Sequence, residues 1–293
     1  MANSKLKALI LGKSGQLAQA LIANKPTHIE CVALGHRDIN LAVIDEIESA
    51  IATHKADLII NTAAYTQVDL AESEPSLAFE INELAVKNIA VAARNRDIRL
   101  IHLSTDYVFD GKQSTPYTIS DSPHPINVYG TSKLAGEKTL RQCMPVGSTI
   151  VRTSSVYSQY GNNFVKTMLR LMREKPEIKV ISDQISSPTS AKELALFIWV
   201  LTEQESLSPL YHWCDSGKTS WYQFAVTIQQ LALKYGKLET EIPIIPISSR
   251  EYGAAAIRPT FSQLDISQSQ ALLQAKLWQE NLESLIKLAK FTR

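Results

Sequence analysis

The chain has 293 residues and a formal net charge of +1, enough for one large domain or two intimate ones with a substantial core. A charge so balanced, with no basic run, gives no reason to expect nucleic acid or an acidic membrane as partner. Three scattered cysteines, Cys31, Cys143 and Cys214, make neither a disulfide framework nor a cysteine-rich metal site and suit a reducing cytoplasm. Residues 6–12 form an apolar run too short to span a bilayer, no cleavable signal pattern follows, and no internal repeat is present.

Leu6–Leu11 reads as a buried parallel strand. It runs into Gly12-Lys13-Ser14-Gly15-Gln16-Leu17-Ala18, with helix continuing through residues 19–22. A glycine turn between a first strand and a helix is where a pyrophosphate docks on backbone N–H groups. The second strand, 30–34, ends in Gly35-His36-Arg37-Asp38. A cofactor bearing free ribose hydroxyls wants an acid at that strand end, and Gly35 stands there instead. Arg37 would attract a 2′-phosphate, which points to NADPH, with NADH open as a second cofactor; the alternative is an exposed loop arginine. A helix over 41–54 leads to a third strand, 57–61, ending in small residues through Thr66. Pro75 is placed to start a helix running to about Arg94. A fourth strand, 99–103, ends in Ser104 and Thr105, where ligands of open α/β sheets sit.

Val128 to Glu137 opens the next helix and places Tyr129 and Lys133 four residues apart on one face. An ammonium near a phenol favours phenolate and suits the Tyr to proton transfer at a carbonyl oxygen. Isolated, the same pair reads as a solvated helix face. A fifth strand, 148–152, closes this half. Beyond it come a helix over 163–175, a strand over 178–182, and helices over about 191–204, 220–235 and 268–290. The stretch 258–265 is a loop whose Arg258 suits a phosphate or acidic group, with a surface salt bridge as the alternative. The fold class implied is α/β: a Rossmann-type doubly wound parallel sheet over residues 1–156. A smaller, mainly helical substrate-binding region covers 157–293, with segments near 178–190 returning to the sheet.

These motifs together resemble the extended short-chain dehydrogenase/reductases. The resemblance rests on residues 12–17, 61–69, 71–75, 104–111, 129–137, 161–164, 220–222 and 258–265. The 61–75 and 104–111 blocks narrow it to the branch that reduces dTDP-linked 4-keto sugars. It implies reduction of dTDP-4-dehydro-L-rhamnose at C4 to dTDP-L-rhamnose by an NADPH-type cofactor, in the cytoplasm. Thr105, Tyr129 and Lys133 match the catalytic set: Thr105 orients the carbonyl, Tyr129 donates the proton, and Lys133 lowers its pKa and holds the nicotinamide ribose. The cofactor is expected along Gly12, Ser14, Gly15, Gln16, Leu17, His36, Arg37, Asp38, Ala63, Ala64, Tyr65 and Ser104, besides Tyr129 and Lys133. The sugar nucleotide is expected along Thr66, Val68, Asp106, Tyr107, Ser155, Asn163 and Arg258.

The chain departs from the family at three places. Ser155 replaces the usual Trp, which puts sugar identity in doubt, and Ser186 stands where Gly is common. Gln19, Ala20 and Lys192 stand where some relatives use acids to bind magnesium at a dimer interface, so no metal is expected and monomer and homodimer both stay open. Two other functions remain in view: a reductase or epimerase of another nucleotide-linked 4-keto-6-deoxy sugar, and a non-catalytic regulatory subunit resembling the methionine adenosyltransferase beta subunit.

Overall fold

The structure, a computed structural model, describes residues 5–288. Six strands form one parallel sheet: β1 (Leu6–Leu11), β2 (Ile29–Leu34), β3 (Leu58–Asn61), β4 (Arg99–Thr105), β5 (Ser148–Thr153) and an edge strand at Leu210–His212. Their order is β2-β1-β3-β4-β5 and then the 210–212 strand. Near-continuous apolar runs such as Leu58-Ile59-Ile60 fit strands covered on both faces.

Alternate residues of each strand feed two cores. Ala8, Ile10, Ile60, Ile101, Leu103 and Val151 pack under α1 (Gln16–Ala23) and the helix Ala191–Thr202. Leu9, Leu11, Ile59, Leu100 and Ile150 pack under α2 (Ile44–His54), the 85–95 helix and the 128–143 helix. Helices on both faces of a parallel sheet make the expected doubly wound architecture. The chain reverses its direction of strand addition between β1 and β3, and that reversal opens a crevice at their carboxyl ends.

The helix expected over 75–94 is three pieces in one run: α3 (Pro75–Phe79), a π-turn at Glu80–Leu84, and α4 (Ala85–Asn95). The π-turn lies where α5 (Val128–Cys143) crosses. There Gly136 is required: a Cβ on it would stand 2.0 Å from the Asn82 carbonyl oxygen.

A third core holds the rest together. Tyr157, Val165, Met168, Leu169, Phe224, Ile228, Trp278 and Leu282 join α6 (Phe164–Glu174), the helix Trp221–Lys234 and the helix Trp278–Leu288. Two sequence expectations fail here. Residues 178–190 do not return to the main sheet: Ile178–Ile181 pairs in parallel with Ile244–Ile247, and Thr189–Ser190 pairs with Val156–Tyr157. The sheet is completed instead by Leu210–His212 on β5. The helix expected over 268–290 is broken, because the backbone of Lys276 and Trp278 bonds to Ser216 rather than to its own turns. Residues 289–290 of that expectation lie outside the described residues. Among the described residues, no helix is long and apolar enough to cross a membrane.

Candidate active site

The glycine turn sits at the carboxyl end of β1. Gly12 has φ +97°, and a Cβ there would meet the Ala63 nitrogen and Thr62 Oγ1 at 2.7 Å, so only glycine lets β1 and the 62–65 stretch approach this closely. Gly15 caps α1 without a side-chain hydrogen bond, leaving the first N–H groups of the helix facing the crevice. Gln16 accepts from Ser158 Oγ and Asn163 Nδ2, both at 2.9 Å, and so ties the turn to the chain after β5. Asn163 caps α6 through its Oδ1 and donates to Gln16 and the Ser158 carbonyl. It is therefore held against the glycine turn.

After β2, His36, Arg37 and Asp38 are exposed. Asp38 accepts from the Gly35 N–H at 2.9 Å, which holds its carboxyl below the usual range, and its Oδ2 lies 3.6 Å from Lys13 Nζ. Arg37 makes no hydrogen bond or ion pair among the described residues, which leaves its guanidinium open to an anion beside the turn.

The catalytic candidates meet where β4 ends. Thr105 and Asp106 are buried at the strand terminus, and Thr105 Oγ1 accepts the Tyr107 N–H at 3.1 Å. Helix α5 begins at Asn127, whose Oδ1 accepts from Gly130 N–H and whose Nδ2 donates to the Ile257 carbonyl. This cap aims Tyr129 at the end of β4 and its Lys133 neighbour under it. The Tyr129 ring lies edge-on to Tyr107, with centroids 5.9 Å apart. Burial pushes the Tyr129 phenol up to about 12, and the facing Thr105 hydroxyl offsets part of that rise.

Lys133 is buried and donates to the Leu103 carbonyl at 2.6 Å. Burial brings its ammonium down to about 8, while Glu137, one turn further on, pulls it back up. Over the Tyr129 phenol desolvation dominates, and the Lys133 ammonium is engaged with the strand. Tyr129 consequently keeps its proton at neutral pH, which suits an acid. Ser104 Oγ is buried beside them with no hydrogen-bond partner.

Tyr65 is fixed by its hydroxyl on Glu74 and by its backbone on Asn82. Asn82 was not singled out from sequence. Its side chain bonds both backbone groups of Tyr65 and also Ser132, clamping the 63–65 stretch to α5. Thr66 and Val68 stand just before Asp69, which takes Arg258 in a two-pronged pair at 2.6 and 3.0 Å. The guanidinium also faces the Tyr107 hydroxyl, so Arg258 closes one wall of the cleft while already paired. Ser155 adopts φ +46°, a left-handed conformation uncommon for serine, and its Oγ lies 3.2 Å from Ser186 Oγ.

The residues fit a dinucleotide: a Cβ-free turn and an uncapped helix end follow β1, an open Arg37 follows β2, and a buried, unpartnered Ser104 hydroxyl lies near the end of β4. Beside a Thr–Tyr–Lys set, this defines an extended short-chain dehydrogenase/reductase, a Rossmann-type oxidoreductase. The chain belongs, more narrowly, to the family described as RmlD substrate binding domain, whose profile matches residues 6–291. It is 38% identical to a dTDP-4-dehydrorhamnose reductase of Sinorhizobium fredii, over 96% of this chain and 97% of that one. It superimposes with TM-score 0.90 and 37% identity on a Bacillus anthracis dTDP-4-dehydrorhamnose reductase solved in complex with NADP, covering 96% and 98% of the two chains. A Streptomyces niveus dTDP-4-keto-6-deoxy-D-glucose reductase is 33% identical over 88% of this chain and 90% of its own.

Proposed function

We propose that the protein reduces the C4 keto group of dTDP-4-dehydro-L-rhamnose to give dTDP-L-rhamnose. The observation that carries this is the convergence of Thr105, Tyr129 and Lys133 at the end of β4, across the crevice from the Gly12 turn. NADPH, when bound, supplies the hydride. Gly12, Ser14, Gly15, Gln16 and Leu17 would hold its pyrophosphate, Arg37 its 2′-phosphate, and Ala63, Ala64 and Ser104 the remainder. Thr105 orients the carbonyl by hydrogen bonding, and Tyr129 gives its proton to the oxygen as negative charge develops there. Lys133 places a buried positive charge beneath the same oxygen. The region from residue 157 onward supplies the sugar side of the cleft, with Arg258 and Asp69 as its outer wall.

Ser155 supports a second reading, reduction of another dTDP-linked 4-keto-6-deoxy sugar. Its left-handed backbone and small side chain leave the pocket without the indole expected at that position. The regulatory-subunit reading is disfavoured by the intact Thr–Tyr–Lys set.

The test follows NADPH consumption with dTDP-4-dehydrorhamnose in wild type and Tyr129→Phe. Turnover to dTDP-L-rhamnose in wild type, reduced about 10²–10⁴-fold in the variant, supports the reading. Turnover only with a different 4-keto sugar favours the second. No turnover with any, despite NADPH binding, overturns both.

A further inference from the structure

Beneath Thr105 lies a buried carboxyl that the reaction above does not use. Asp106 is 2% exposed. Its Oδ1 stands 3.1 Å from Thr105 Oγ1, and its Oδ2 accepts from Ser262 Oγ at 2.6 Å. Ser262 belongs to the 258–265 stretch and is itself buried. Resting on the reductase reading, we infer that Asp106 is a positioning residue: protonated, it turns the Thr105 and Tyr129 hydroxyls toward the substrate carbonyl, and ionised, it turns them away.

The argument is an inventory of protons and lone pairs. A threonine hydroxyl has one proton to donate and two lone pairs. The Tyr107 N–H fills one lone pair of Thr105. A carboxylate accepts only, so ionised Asp106 draws the Thr105 proton down onto Oδ1. The second lone pair of Thr105 then faces the Tyr129 phenol and takes its proton as well. Both hydroxyls point at the floor of the cleft. When Asp106 is protonated, Ser262 still donates to Oδ2 and the acid proton sits on Oδ1. That proton is donated to Thr105 and fills its second lone pair. The Thr105 proton is released toward the cleft, and Tyr129, with no acceptor left on Thr105, keeps its own for the carbonyl oxygen.

The switch works near neutrality. Burial raises Asp106 to about 7 against the pull of the Ser262 and Thr105 hydroxyls. The titratable groups facing it are Tyr107, Tyr129 and Cys214, with Arg258 and its partner Asp69 beyond Tyr107. The phenols and the thiol are all pushed far above neutral by burial, so none of them changes charge in the same range. The other groups nearby that do are Lys133, at about 8, and Asp215, at about 7 on the far side of Cys214.

The test has a kinetic and a ligand-free arm. The kcat profile is measured for wild type, Asp106→Asn and Ser262→Ala. Wild-type kcat should fall about tenfold per pH unit above roughly pH 7. In D106N the amide nitrogen donates to Thr105 as the acid does and its oxygen accepts from Ser262. That variant should lack this fall and keep only the later one set by Lys133. S262A removes a donor to the carboxylate, so its fall should move to higher pH. In the ligand-free protein, the wild-type-minus-D106N infrared difference spectrum, in which the Asp215 acid cancels, should show a carboxylic acid band that disappears over the same pH range. The inference is overturned by a D106N profile that falls with wild type, by a folded D106N that binds NADPH without turnover, or by the absence of that band. A wild type that never consumes NADPH with a 4-keto sugar fails the reductase reading instead, and the infrared titration still decides the state of Asp106.

Discussion

Glu137→Gln tests the charged layer under the catalytic helix. Arg152 of β5 grips Glu137 through two hydrogen bonds, Nε to Oε1 at 2.8 Å and Nη2 to Oε2 at 2.6 Å. Their side chains are 3% and 2% exposed. The guanidinium lies 5.1 Å from the centre of the Phe109 ring. His212 Nε2 stands 3.5 Å from it, and burial, with Arg152 beside it, holds that imidazole down to about 4 and so neutral. No other carboxylate pairs with Arg152 among the described residues. Glutamine keeps one acceptor but turns an amide donor toward Nη2, leaving a buried cation uncompensated. Removing one partner of such a pair costs about 3–5 kcal/mol. With an m-value of about 3 kcal/mol/M for a chain this long, the urea midpoint falls by about 1–1.7 M. Tryptophan fluorescence during urea unfolding measures it. The paired variant Glu137→Leu with Arg152→Met should recover most of the loss, because it removes both charges. A shift under about 0.3 M, equivalent to about 1 kcal/mol, or a double variant no more stable than E137Q, would refute the reasoning.

Three further outcomes are expected. Gly136→Ala drives a methyl into the Asn82 carbonyl, costing about 2–3 kcal/mol, and lowers turnover too because Tyr129 and Lys133 ride on the same helix; melting temperature and NADPH consumption report both. Arg37→Ala raises KM for NADPH about tenfold and leaves that for NADH nearly unchanged, as paired initial-rate measurements would show. Asp106 and Asp215 are both raised to about 7 by burial, so their contribution to stability is full below about pH 4 and is lost as pH rises through about 7. The melting temperature of D106N relative to wild type should therefore climb between about pH 4 and about pH 7, and a flat difference counts against a buried, ionising Asp106.

The sheet was legible because its signals are local. Leu6–Leu11, the Gly12 turn and the Ser104–Thr105 strand end each announce themselves within ten residues, and strand-end position then places the chemistry. What sequence misplaced depends on distant partners. Residues 178–190 look like a returning strand, yet Ile178–Ile181 finds its mate only at Ile244–Ile247, while the short Leu210–His212 takes the sheet edge. The 268–290 helix breaks because Ser216 competes for its backbone. The site shows the same division. Tyr129 and Lys133 are visible by their spacing, and Glu137 follows Lys133 by that same spacing, so its pairing with a buried cation could have been sought. Asn82 carries no local mark, and Ser262 is marked only as part of the 258–265 block with no role attached: each matters through a contact with a residue fifty or more positions away. Residue type was also a poor guide to pKa, since burial is the largest cause of the upward shift at Tyr129.

The edge strand has a bearing on how the molecule is made. Strand β5 is paired on one side by β4 and on the other only by Leu210–His212, sixty residues later along the chain. While the ribosome adds those residues, five strands can assemble, but the outer edge of β5 offers bare N–H and carbonyl groups to any passing strand. Arg152 and Glu137 wait over the same interval for His212 to cover them. An emerging chain is most prone to misassociation while such edges stand open. A translational pause between residues 153 and 210 lengthens that interval, so the tempo of synthesis bears on how much of this protein reaches its native state.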